Sequence, residues 1–357
     1  MDRIKVMVVD DSAFMRKVIS DILSRERGME VVATARDGVE ALEKLHQVEP
    51  DVVLLDVEMP RMDGLTFLEQ ALSEKPLRIV MLSALTGEGS QVTLEALEKG
   101  ALDFIQKPGG SISLDIEKKA DEIVNKIKAI ALVPSDRLRD YLAEVKKRAK
   151  LAPSFGKKMV AQNLILVASS TGGPRALGIL MENMKPLERG GMVLIQHMPV
   201  GFTRGLAERL NQLSPVSTKE AEEGAPILAN SALIAPGGKH LLISEEKKIN
   251  LNDDPPLKGL KPCADISFLS AISAFHQRIL AVVLTGMGKD GLEGCRAIKK
   301  AGGKVIAQDE KSSLIFDMPR AVIEAGLADQ VLPLARIPQA IWEWEQKEAE
   351  RDEAYVE

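Results

Sequence analysis

The stretch VVLLDVEMPRMDG (residues 52–64) is an apolar run that stops on Asp56 and then turns through Pro60. Continuous apolar residues ahead of a carboxylate read as a strand buried on both faces that delivers an acid to the end of a sheet. Two other runs end in a comparable way: IKVMVVDDS brings Asp10 and Asp11 to a strand end, and ALDFIQKP brings Lys107. Three charged strand ends would meet at the carboxyl edge of a parallel sheet, where such folds place their ligands. Carboxylates gathered there repel one another unless a cation neutralises them. A hard, oxygen-preferring ion such as magnesium suits such a cluster and bridges to phosphate oxygens.

Outward from this stretch, apolar runs recur near residues 4–10, 30–35, 51–56, 78–82 and 102–106, separated by segments of helical length and spacing. This is the pattern of five βα units, and it predicts an α/β fold with a doubly wound five-stranded parallel sheet. Ser83 follows the run RIVML, and Phe104 stands three positions before Lys107. With Asp10, Asp11, Asp56 in DVEMP, Ser83 and Lys107 before Pro108 in this order, the first third of the chain resembles the flavodoxin-like response-regulator receiver domain. The resemblance implies that Asp56 accepts a phosphoryl group from a histidine kinase. It also implies magnesium held by Asp10, Asp11, Asp56 and the backbone carbonyl of Glu58. Ser83 and Lys107 would bind the phosphoryl oxygens, and Phe104 would report the change by repacking.

A chain of 357 residues with 45% hydrophobic and 28% charged residues is ordinary globular material for two cores. A net charge of −5 argues against nucleic acid as partner. The start MDRIKVMVVDD enters a strand directly and reads as no signal peptide. No apolar stretch approaches the ~20 residues needed to span a bilayer. Two cysteines, Cys263 and Cys295, are too few for a disulfide framework or a thiolate zinc site, so the expected compartment is the reducing cytoplasm. Residues 1–130 read as the receiver. Residues 131–158, with eight Lys or Arg against three acids, read as a linker with a short amphipathic helix in its middle. Residues 159–348 read as a second domain and 349–357 as a charged tail.

From Asn163 the second part reads NLILVASSTGGPRALGILMENM: a strand, a turn of small residues, and a helix with Pro174 in its first turn. Ser169, Ser170 and Thr171 therefore sit at a helix N-terminus, which favours an anion or a developing oxyanion. Taken alone, SSTGGP fits a helix cap, a phosphate cradle or a nucleophile turn. The next apolar run, GGMVLIQHMP, ends on His197, and RILAVVLTGMGKDG runs into a loop holding Asp290. Three strand ends thus supply Ser, His and Asp. A serine hydroxyl needs an imidazole to remove its proton, and the imidazole needs a carboxylate to fix its tautomer. His240, in IAPGGKH, is the rival base; His46 and His276 read as structural.

SSTGGP, QHMPVGFTRGLAERLN, IAPGGKH, LTGMGKDG and SSLIFDMPRAVIEAG are, in this order, similar to the motif series of the chemotaxis methylesterase domain. The resemblance implies a second α/β domain, doubly wound on a mostly parallel sheet. It implies Ser170 as nucleophile, His197 as general base and acid, Asp290 as orienting carboxylate, and backbone N–H groups at Thr171 and Met287 as the oxyanion hole. The implied reaction is hydrolysis of glutamate methyl esters, and deamidation of certain glutamines, on the cytoplasmic helices of chemoreceptors, activated by phosphorylation. No organic cofactor and no membrane insertion are implied. Two departures stand out: Ala168 replaces a usual glycine, and Lys258, Gly259, Leu260, Lys261 and Cys263 replace a polar NxxRPS-like run. A phosphate-binding module without ester cleavage and an inactive docking scaffold are the alternatives.

Overall fold

The computed structural model describes residues 3–83, 87–107, 119–143 and 159–354. The chain divides into two compact units, Met1–Arg148 and Ala149–Glu357.

In the first unit, β1 (Ile4–Val9), β2 (Met29–Ala35), β3 (Val52–Asp56), β4 (Ile79–Ser83) and β5 (Asp103–Gln106) form one sheet. Its order is β2-β1-β3-β4-β5 and every neighbouring pair is parallel. Helices α1 (Ala13–Arg25), α2 (Gly38–Leu45), α3 (Gly64–Glu74), α4 (Gly87–Lys99) and α5 (Ala120–Ala131) complete the alternation. Helix starts are encoded locally. Ser12, Asp37 and Asp63 each accept a hydrogen bond from the backbone N–H of Met15, Glu40 and Thr66, capping α1, α2 and α3. Strand order reverses between β1 and β3, so a crevice opens past their carboxyl ends, where Asp10, Asp11 and Asp56 lie. Gly64 is required where α3 starts, because a Cβ there would lie 2.1 Å from the Asp56 carbonyl oxygen.

Part of the segment expected as a linker packs on this unit. Residues Ser135–Ala143 form α6, with Val133 and Leu138 buried. The Arg78 guanidinium donates to the Val133 carbonyl at 2.6 Å. Leu138 and Leu142, four residues apart, lie on the same face of the helix, and the Leu142 side chain would sit 2.8 Å from a Cβ placed on Gly100. The remainder of that segment, 144–158, lies outside the described residues.

The second unit contains β6 (Asn163–Ser169), β7 (Gly190–Gln196), β8 (Ser217–Glu220), β9 (Ser231–Ile234), β10 (His240–Ile243), β11 (Ile249–Asn252), β12 (Ile279–Val283), β13 (Lys304–Gln308) and β14 (Gln330–Leu332). Seven of them form a sheet of order β14-β13-β12-β6-β7-β9-β8, parallel at every pair, while β10 and β11 form a separate antiparallel hairpin. The helices are α7 (Gly173–Glu182), α8 (Thr203–Leu213), α9 (Ala264–Phe275), α10 (Leu292–Lys300), α11 (Asp317–Glu324) and α12 (Ile337–Ala354). The last of these continues into the segment expected as a tail, whose Glu, Arg and Ala residues are good helix formers.

Central strands β6, β7 and β12 are buried along their whole length, which explains why they read as unbroken apolar runs. Helix α9 buries Phe268, Ala271 and Phe275 on the core side. It meets α10 closely, since a Cβ on Gly294 would lie 2.4 Å from that of Phe268. Each of the two buried phenylalanines contributes about 1.5–3 kcal/mol. Strand order reverses at the neighbours β12 and β6, so the crevice of this unit opens past the ends of β12, β6 and β7.

Candidate functional site

In the first unit, Asp10 is fully buried and Asp56 nearly so. The Lys107 ammonium lies 2.7 Å from Asp10 Oδ2 and 2.6 Å from Asp56 Oδ2. Asp10, Asp11 and Asp56 each offer an oxygen, all within 4.8 Å of one another. One ammonium does not balance three carboxylates. Burial, together with the charges of Asp10 and Asp11, therefore pushes the Asp56 carboxyl up to about 6 against the pull of Lys107. Burial works against the Lys107 charge, but Asp56 and Asp10 hold its ammonium above the usual range. An oxygen-only, electron-rich cluster with an excess of negative charge fits a divalent hard cation. Ser83 ends β4 next to this cluster, and its hydroxyl accepts from Thr93 Oγ1 at 2.6 Å. Phe104 is buried, and the Lys126 ammonium, which donates to the Phe104 carbonyl at 2.6 Å, stands 5.5 Å from its ring centroid.

In the second unit, Ser170 follows β6 directly, His197 follows β7, and Asp290 lies between β12 and α10. The backbone N–H of Ser170 donates to the Thr285 carbonyl at 3.0 Å, and its carbonyl accepts from Gly173 N–H at 2.7 Å. Gly172, at φ +77°, adopts the left-handed conformation that ends the turn and starts α7. Ser169 points the other way. It is fully buried and donates its hydroxyl to Gln196 Oε1 at 2.7 Å, while Ser170 keeps partial exposure.

His197 Nε2 lies 2.7 Å from Asp290 Oδ2. Burial alone would raise the Asp290 carboxyl; the hydrogen bond and charge of His197, with backbone N–H groups from the start of α9, hold it well below the usual carboxylate range. An ionised carboxylate only accepts, so Nε2 carries the proton of the neutral imidazole. Its Nδ1 is then the basic nitrogen, and it is buried with no hydrogen-bond partner among the described residues. The rival base His240 is buried on β10, with Nε2 3.2 Å from the Pro255 carbonyl, so its ring fastens the hairpin to the following loop.

Residues 165–341 match the CheB methylesterase family and residues 6–115 the response regulator receiver domain. A protein-glutamate methylesterase/protein-glutamine glutaminase of Pyrococcus horikoshii is 46% identical over 345 residues, which is 95% of this chain and 93% of that one. The chain belongs to the CheB methylesterase family. A relative of the same description from Thermotoga maritima is 40% identical over 343 residues, 95% of this chain and 98% of that one. The solved CheB methylesterase catalytic domain of Thermotoga maritima is 38% identical and superposes with a TM-score of 0.50, over 52% of this chain and 99% of that one. Among the described residues, no helix is long and apolar enough to cross a membrane.

Around the family's serine turn stand residues that sequence patterns did not single out. Gln196 Nε2 donates to the carbonyls of Ser170 and His197, at 3.0 and 3.1 Å, and so ties the two strand ends together. Gly173 leaves room for it, since a Cβ there would fall 1.9 Å from Gln196 Oε1. The Thr285 hydroxyl lies 3.0 Å from the Thr171 carbonyl and 3.1 Å from that of Ile315. Gly286 and Met318 complete this seam: Gly286 N–H donates to Ile315 O, and Met318 N–H to Gly286 O. The motif SSLIFDMP thus frames the LTGMG loop. Adjacency to the motif residues was the one signal available for Gln196 and Thr285.

Proposed function

We propose that this chain is a phosphorylation-activated protein-glutamate methylesterase and protein-glutamine glutaminase that works by a Ser-His-Asp acyl-enzyme route. The observation that carries the reading is the 2.7 Å contact of His197 Nε2 with Asp290 Oδ2 at strand ends adjoining the Ser170 turn. The substrate class is the methyl ester of glutamate side chains on the cytoplasmic helices of chemoreceptors, and the compartment is the cytoplasm. Ser170 Oγ attacks the ester carbonyl as His197 Nδ1 takes its proton. The oxyanion is met by the backbone N–H groups of Thr171 and Met287 at the start of α7 and in the LTGMG loop. Collapse of the tetrahedral centre expels methanol, which takes the proton from Nδ1. Water then gives a proton to Nδ1 and attacks the acyl-enzyme, releasing a glutamate carboxylate and restoring Ser170. With a glutamine substrate the same proton goes to departing ammonia.

In the receiver, Asp56 accepts the phosphoryl group from a histidine kinase. Magnesium bound by Asp10, Asp11, Asp56 and the Glu58 carbonyl would neutralise the phosphoryl oxygens. Lys107 and Ser83 bind those oxygens, Ser83 as a hydroxyl donor, a role that its acceptance from Thr93 does not use up. Phe104 repacks in response. A coupling of about 1–3 kcal/mol corresponds to roughly 5-fold to 150-fold control of the esterase. Methanol release from methylated receptor membranes, with and without a small phosphodonor and magnesium, tests the whole reading. The expected result is release that rises with phosphodonor and a basal rate that rises when residues 1–150 are removed. Absence of methanol under all conditions would leave only a binding role.

A further inference from the structure

Asp290 is held by more donors than a positioning carboxylate needs. Oδ2 accepts from Ala264 N–H at 2.6 Å and meets His197 Nε2 at 2.7 Å. Oδ1 accepts from Asp265 N–H at 3.0 Å, Gly291 N–H at 3.0 Å and the Cys263 thiol at 3.1 Å. Five donors converge on about four lone-pair positions. Three of the four protein donors other than His197 come from the start of α9, whose N-cap residue is Cys263 and makes no side-chain cap of its own. Asp290 serves as the cap of that helix instead, a carboxylate at the positive end of the dipole.

The choice of residue at 263 then has a consequence. An aspartate, asparagine or serine oxygen at an N-cap position turns back to accept from its own helix, and of these only the serine hydroxyl also keeps an O–H to donate to a neighbouring carboxylate. A thiol is a weak acceptor, so the Cys263 side chain, although it lies beside the Ile266 N–H, acts chiefly as a donor, and its S–H goes to Asp290 Oδ1. We propose that Cys263 is a positioning residue: its S–H, with the Asp265 and Gly291 N–H groups, anchors Oδ1 so that Oδ2 faces His197 and shares only part of the carboxylate charge with the imidazole. The thiol suits this task because burial and the neighbouring carboxylates push it up to about 12, so it stays a donor wherever the enzyme is folded. The other ionisable groups around the carboxylate are His197 after β7, Asp265 in α9 and Cys295 in α10, with Lys258 acting on Asp265 from the loop before α9.

The sign of the effect follows from electrostatics. Removing the thiol donor concentrates charge on Asp290, favours the imidazolium and raises the pKa of His197; a stronger donor does the reverse. This inference deepens the esterase reading and rests on it, so its test includes readouts that need no turnover. The His197 imidazole is titrated by NMR in the full-length protein and in Cys263→Ser and Cys263→Ala. The expected order of pKa is Ser below wild type below Ala, spread over about half a unit to one unit, as one hydrogen bond of ordinary strength commands. The acid limb of kcat/KM should move in the same order, with kcat rather than KM falling in the alanine variant at neutral pH. The infrared S–H band lost in Cys263→Ala should lie at the low frequency of a bonded thiol. An imidazole pKa equal in all three proteins, or a band at the frequency of an unbonded thiol, would overturn the assignment. If methanol release were absent while the ordered shift appeared, the esterase reading would fall and the role of the thiol would stand.

Discussion

Ser169 donates its hydroxyl to Gln196 Oε1 at 2.7 Å, and this contact separates two adjacent serines that the sequence SSTGGP leaves equivalent. The first is spent inside the sheet, where it braces the amide that holds the carbonyls of Ser170 and His197. Only the second is partly exposed in the crevice. Ser170→Ala is expected to lower methanol release by about 10⁴-fold to 10⁶-fold, the range for a triad serine. Ser169→Ala should keep most of the activity but lose about 1–3 kcal/mol of stability, because Gln196 Oε1 is left buried without its donor. Acylation of Ser169 by an active-site reagent would reverse the assignment.

Asp290→Asn tests the orienting carboxylate. An amide offers one acceptor oxygen where the carboxylate takes donors on two, so its NH₂ must face either His197 or the N–H groups of α9. In the first case the imidazole is driven to the wrong tautomer, with its proton on Nδ1. A loss of about 10³-fold to 10⁴-fold in kcat is expected. In the wild type the depressed Asp290 carboxyl contributes stability that is present above the ordinary carboxylate range and is lost as pH falls toward its folded value. The variant should therefore unfold with a weaker dependence on acid below about pH 4. An unchanged kcat, measured with the same substrate, would show that Asp290 only caps α9.

Most of the architecture was legible because strands buried on both faces leave continuous apolar runs, as in β3, β6, β7 and β12. The charged residues closing those runs placed Asp56 and His197 at sheet ends for the same reason. The nitrogen of His197 that meets Asp290 was not legible, since it depends on ring rotation and on the path of a loop 93 residues away. The packing of residues 133–143 was masked by their charge. Eight basic residues in the surrounding segment read as solvent-exposed connector, although Val133 and Leu138 are buried. Gln196 and Thr285 work through backbone carbonyls brought together by the fold, and no periodicity marks such a role.

Gly286 is a position where space alone decides. Its backbone is outside the left-handed region, so alanine is not strained by φ. An added Cβ would nevertheless lie 2.3 Å from Met318 Sδ, 2.8 Å from Ser170 Cβ and 3.0 Å from Ser170 N. The Met318 thioether can move, but the serine backbone is fixed by its bond to the Thr285 carbonyl. Gly286→Ala is expected to push Ser170 out of line and cost about 10²-fold in kcat, the scale of an ångström-sized misplacement. Circular dichroism should stay unchanged. Wild-type turnover in this variant would mean that the LTGMG loop gives way without disturbing the nucleophile.

The pH dependence of the first unit follows from Asp56. Its carboxyl is pushed up to about 6 by burial and by Asp10, so between the ordinary value near 4 and that pH the folded state holds a proton that the unfolded chain has released. Stability therefore falls as pH rises through this window, by about 3 kcal/mol in total for a shift of roughly two units. Above it, the ionised cluster carries its excess charge uncompensated. Asp56→Asn removes the titration and should be more stable than the wild type at pH 7.5 by up to about 3 kcal/mol, with little difference at pH 4. Hydrogen exchange of the Val53, Leu54 and Leu55 amides in β3 reads this locally in the full chain. Magnesium should recover protection at pH 7.5 in the wild type by neutralising the cluster, and should do much less in the variant, which has lost one of its three carboxylates. Protection that increases with pH in the wild type would show that Lys107 outweighs burial, and that the acid cluster is satisfied without a cation.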